Sequence, residues 1–159
     1  MRSTMKMVVL FCAALIGTLT VSLGASAQTA SAYGDWRLLC GPQDFAGMGN
    51  CMIGQQSFFA AGGPKPGDVL VIYFPQKKTL AVGIANETFT ATARIDGKPA
   101  QNGKPGPDKD VVLFDGDFDA ALRAGSSLTV ELTVAGKPPK TVTYDLADFK
   151  KAVAAAPAP

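Results

Sequence analysis

From Ser127 to Val134, apolar and polar positions alternate. Leu128, Val130, Leu132 and Val134 point one way; Thr129, Glu131 and Thr133 point the other. A period of two marks a half-buried strand. Residues 141–146 repeat it with Val142, Tyr144 and Leu146. The intervening turn carries Gly136, Pro138 and Pro139, so the two segments predict a hairpin. Residues 88–95 alternate too, with threonine on the wet side. Val69–Phe74 does not alternate. It is one β-branched and aromatic run stopped by Pro75, which predicts a strand buried on both faces or at the centre of a sandwich. Further strands are predicted at Trp36–Cys40, residues 52–60, residues 79–85 and Val111–Phe114.

Between these runs the chain is broken by glycine and proline, whose backbone angles a strand ladder rarely accepts. Residues 62–68 form one break. Residues 96–110 contain three Gly and three Pro and predict a long exposed loop. Two short helices are expected. Residues 117–125 offer aspartates for the exposed amides and Gly125 for a left-handed end. Residues 148–155 are predicted as a helix capped by Asp148, with Phe149 and Val153 on its inner side. Many short strands with Gly/Pro turns predict an all-β sandwich or barrel with short peripheral helices. It is a single domain over residues 28–153, followed by a disordered Ala/Pro tail, residues 154–159.

The first residues follow another logic. Arg2 and Lys6 precede an apolar run from Val8 to Leu23, and Ala25-Ser26-Ala27 follows it. This is the order of a secretory signal peptide, with cleavage predicted after Ala27. The expected destination is the periplasm or the exterior, with no stable membrane span after cleavage. Arg2 and Lys6 are the only charges in that segment, so 13 of the 15 basic residues remain against 13 acidic ones. A neutral domain of about 130 residues has no electrostatic footprint for nucleic acid or anionic membrane.

The chain has no histidine, which removes the commonest general base and metal ligand. Cys40 and Cys51 are the only cysteines after the leader. A metal site would need more ligands, and a redox Cys-x-x-Cys pair would need closer spacing. In an exported protein they are expected to pair as a structural disulfide. Asp115, Asp117 and Asp119 alternate like part of a calcium loop but lack its glycine and final glutamate. Helix capping accounts for them. No catalytic residue, cofactor or metal site is predicted.

Tyr33-Gly34-Asp35-Trp36, then Cys40, then Cys51-Met52-Ile53-Gly54-Gln55-Gln56 resembles the opening of the invasion-associated locus B family. Residues 122–130, with Ala124-Gly125, are similar to the turn before that family's penultimate strand. Residues 143–152 resemble its closing strand and Phe-x-x-Ala helix. Many members carry a second cysteine pair, which residues 111–120 lack, and often a Gly where Asp148 stands. The resemblance implies an immunoglobulin-like β-sandwich. It also implies a non-enzymatic envelope protein of Gram-negative bacteria, linked in pathogenic relatives to host-cell entry.

The expected function is therefore an exported binding or interaction module meeting an unidentified protein or envelope partner. Tyr33, Trp36, Phe45, Phe58, Phe59, Tyr73 and Phe74 could supply a contact patch, though most are expected in the core. One alternative is an inhibitor of an envelope hydrolase that inserts loop 96–110. Another is a carboxylate hydrolase built on Asp115, Asp117 and Asp119.

Overall fold

The computed structural model describes residues 28–45 and 47–158. The predicted signal peptide, residues 1–27, lies outside the described residues. Two antiparallel sheets share one apolar core in an all-β sandwich with short helices at its margins. The larger sheet holds β1 (Thr29–Tyr33), β2 (Trp36–Cys40), β3 (Cys51–Gln55), β4 (Val69–Phe74), β5 (Thr79–Ile84), β9 (Val111–Phe114) and β8 (Lys104–Pro105), in that spatial order. The smaller holds β11 (Lys140–Asp145), β10 (Ser127–Val134), β6 (Phe89–Ile95) and β7 (Gln101–Asn102).

The alternating segments behave as their pattern dictates. β10 buries Leu128, Val130 and Leu132, and β6 buries Phe89, Ala91, Ala93 and Ile95. β10 pairs with both β6 and β11, so the predicted hairpin is in place.

β1 escapes the pattern because Thr-Ala-Ser-Ala has neither bulk nor alternation. It is an exposed edge strand, fixed by a two-residue turn in which Tyr33 faces Trp36 and Gly34 has φ +55°. Asp148 explains why glycine is needed there: a Cβ on Gly34 would lie 2.1 Å from its Oδ2.

Six expectations are corrected. The strand predicted over residues 52–60 stops at Gln55, and Gln56–Phe59 winds into a 3₁₀ turn. Residues 96–110 are not a free loop. β7 pairs with β6 in one sheet and β8 with β9 in the other, so this segment crosses the sandwich edge. Gly103 is the corner: its amide donates to the Ala91 carbonyl (2.9 Å), and a Cβ would lie 2.1 Å from Val112 Cγ1. In α1 (Asp117–Ala124), Gly116 is the N-cap, and no side chain caps the helix. Gly125 is extended (φ −73°) rather than left-handed, and is glycine because a Cβ would lie 2.2 Å from Ile95 Cγ2. In α2 (Ala147–Ala155), Asp145 rather than Asp148 accepts from the first amide, at 2.7 Å. Ala154 and Ala155 close that helix, so they are not tail, and Ala156 packs against the core.

The turn after β6 depends on one carboxylate. Asp96 Oδ1 accepts from the amides of Ser126 and Ser127, both at 2.9 Å. Those backbone hydrogen bonds hold its pKa below the ordinary carboxylate value. A depressed carboxylate contributes stability above its unfolded pKa and loses it as pH falls through the folded pKa. Asp96→Asn keeps an acceptor and tolerates φ +51°. It is expected to make the fall in Tm shallower between about pH 5 and pH 2, as read by thermal unfolding across pH.

Candidate functional site

β4 carries the clearest departure from sequence logic. Its unbroken apolar run predicts burial on both faces or a place at the centre of a sandwich, and β4 is the middle strand of the large sheet. Val71 and Tyr73 are indeed sealed in the core, but Leu70, Ile72 and Phe74 stand half-exposed on the outside of the large sheet. β9 does the same: Val112 and Phe114 are buried, Val111 and Leu113 are not. No element of the described chain covers this outer face.

The register makes the face concave. Ile72 lies opposite Ala81, and Ala81 opposite Leu113. Gly83 lies between Leu70 and Val111. Small residues on β5 thus form a floor between larger neighbours. Met52 and Phe58 stand on the β3 side, and Pro107 on the β9 side. The resulting trough has a volume of about 510 Å³. Only Asp44 among its lining residues is ionisable, and Asp44 Oδ1 already accepts from the Gly49 amide at 2.6 Å. A narrower extension of about 180 Å³ shares Ile72, Ala81 and Val111 and runs to Asp110.

Two sequence features build the walls. Gly54 faces Ile72 across the β3–β4 ladder, and a Cβ there would lie 3.1 Å from the Phe59 ring. The missing side chain lets Phe59 settle on β3, and Phe58 packs edge-on against it, 4.9 Å between centroids.

The second feature is the disulfide. Cys40 and Cys51 are bonded and face each other across the β2–β3 ladder. The loop they close is drawn tight by Gly41 N–H to Asn50 O (3.0 Å) and Phe45 N–H to Gly49 O (2.8 Å). Gln76 Nε2 ties it to the β4–β5 turn by donating to Asn50 Oδ1 at 2.9 Å. Phe45 and Met48 are thereby held over one end of the trough. Replacing both cysteines by serine is expected to lower stability by about 2–3 kcal/mol. Urea unfolding measures that loss, and the variant should also bind apolar probes more weakly.

The sequence-predicted aromatics divide. Trp36 and Tyr73 are core residues; Phe45, Phe58 and Phe74 line the trough. Trp36 packs on Phe149 and Tyr144 at the opposite end of β2 from the bridge, so the core rather than the disulfide is its partner.

The three aspartates do not converge. Asp115 pairs with Lys104 at 2.6 Å on the surface, Asp117 is exposed, and Asp119 turns inward. Asp119 Oδ1 accepts from the Tyr73 hydroxyl and from Arg123 Nε (3.0 Å), and Arg123 Nη2 donates to the Tyr73 oxygen at 2.7 Å. Burial first, then Asp119, hold the Tyr73 phenol far above its ordinary pKa. This trio ties α1 to β4. Among the described residues, no group of three or more acidic or cysteine side chains could hold a metal.

The fold and trough define a small β-sandwich with an open apolar site, and comparison places that sandwich among known structures. No family model matches the chain, and no curated protein matches it. Its structure is similar to that of invasion associated protein B from Bartonella henselae, with a TM-score of 0.53 and 21% identity. The likeness covers 79% of this chain and 94% of that one. The two share a fold, and the neighbour belongs with the family that the terminal motifs resemble.

Proposed function

We propose that this chain is an exported, non-enzymatic binding module of a Gram-negative envelope that holds an apolar partner in the trough of its large sheet. The carrying observation is the uncovered outer face of β4, β5 and β9, apolar by sequence and walled by Phe45, Met48, Met52 and Phe58. A concave, largely apolar site of this volume falls in the range of small-molecule pockets. Export is supported by the leader-like residues 1–27, by the disulfide, and by a structural neighbour titled as invasion-associated. Among the described residues no helix is long and apolar enough to cross a membrane. A role in host-cell entry is carried over from that neighbour's title as part of this proposal.

Fluorescence of anilinonaphthalene sulfonate tests the site. One dye is expected per chain. Ala81→Trp, which fills the floor without touching the core, is expected to weaken binding at least about tenfold. Equal binding by the variant would place the site elsewhere.

A further inference from the structure

We propose that the occupant of the trough is a free fatty acid, lying along β4 and β5 with its carboxylate at the dibasic turn of residues 75–78. This rests on reading the trough as the binding site.

The floor of the trough offers a ligand no hydrogen bonds. It is the face of a sheet, and β4 and β5 spend their backbone groups on each other and on β3 and β9. An extended peptide laid there would bury amides and carbonyls with nothing to receive them. A hydrocarbon chain has none to lose. Width argues in the same direction. β3 and β9 stand three strand spacings apart, about 14 Å. Met52 and Phe58 project into that gap from one side, Leu113 and Pro107 from the other. A helix with its side chains is about 10–12 Å across and does not seat between them. A chain one methylene wide does.

Length and charge set the orientation. The wide part continues into the narrow extension along β4, whose six residues span about 20 Å. Beyond Phe74 at the wide end come Lys77 and Lys78, both exposed and without an ion pair among the described residues. The narrow end finishes at Asp110, whose Oδ2 accepts from the Asn86 amide; Asp108 and Lys109 precede it. Asp44 also stands at the wide end, so the two lysines exceed it there by one charge, while Asp108, Lys109 and Asp110 leave the narrow end net negative. An anionic head is therefore favoured at the lysine end and an uncharged tail at the other. Met48 and Met52 provide walls that can adapt to a flexible chain.

Protein expressed from the full-length chain is titrated with straight-chain fatty acids of 10 to 16 carbons, each below its aggregation concentration. One molecule is expected per chain, with about tenfold tighter binding for every two carbons until the trough is full. Ala81→Trp should abolish binding, and Leu113→Lys serves as a second blocking variant should the first fail to fold. Hexadecanoate should bind at least about fivefold tighter than hexadecyltrimethylammonium. Lys77→Gln with Lys78→Asn should erase that preference and keep the chain-length dependence; asparagine suits the φ of +51° at position 78. The occupant is wrong if the dye binds and Ala81→Trp blocks it, yet hexadecanoate does not compete. It is also wrong if only phosphatidylglycerol vesicles bind, if an amphipathic helical peptide displaces the dye and hexadecanoate does not, or if sedimentation shows a second copy covering the face. Dye binding untouched by both blocking variants would instead overturn the trough itself.

Discussion

Trp36→Ala is expected to cost about 3–5 kcal/mol of stability. Trp36 is 3% exposed and stands where three elements meet. Its ring packs edge-on against Phe149 of α2, 5.1 Å between centroids, and against Tyr144 of β11 at 6.0 Å. Its Nε1 donates to the Asp145 carbonyl at 3.1 Å. Phe149 in turn meets Tyr73 of β4 at 5.3 Å. Removing the indole opens a cavity at the joint between the large sheet, the small sheet and α2, and leaves a carbonyl without its donor. Trp36→Phe should cost less, because it retains much of the packing and loses chiefly the hydrogen bond. Urea unfolding with an unchanged m-value measures both. A loss below about 1 kcal/mol for Trp36→Ala would mean the joint is held elsewhere.

Asp119→Ala is expected to cost about 2–3 kcal/mol. It strips the Tyr73 hydroxyl and Arg123 Nε of their shared acceptor. The side chain of Arg123 is 38% exposed, so water compensates part of its lost pairing, and the loss is smaller than for a fully buried pair. Tyr73 receives no such help in the core. Tyr73→Phe with Asp119→Leu removes donor and acceptor together and should cost less than the two single changes summed. A double-mutant cycle gives the coupling. Strict additivity would show that the trio does not act as a unit.

The fold was largely legible because its strands announce themselves by period. β6, β10 and β11 alternate, and each buries the side the pattern selects. Where bulk was missing, as in Thr-Ala-Ser-Ala of β1, the strand was invisible. It exists through its hairpin with β2, a tertiary fact. The residues 96–110 misled because glycine and proline read as a loop, although here they turn a corner between two sheets.

The candidate site was half legible. Val69–Phe74 showed too much apolar surface for a half-buried strand, and the disulfide was readable from the leader-like residues 1–27 and from cysteine spacing. That the outer face stays uncovered depends on where the small sheet and α2 settle. The depression depends on cross-strand register, which sets Ala81 between Ile72 and Leu113. Neither can be read from a linear pattern. Asp119 was singled out for its spacing with Asp115 and Asp117, yet its partner, Tyr73, lies 46 residues away.

The central claim is that the outer face of β4, β5 and β9 is a binding site, and methyl-resolved NMR during a titration with anilinonaphthalene sulfonate tests it most directly. Saturating shifts are expected at Ile72, Ala81, Val111 and Leu113, with Met48 and Met52 following, while Val130 and Leu132 of the small sheet stay still. Shifts confined to the small sheet, or none that saturate at the trough methyls, would contradict it.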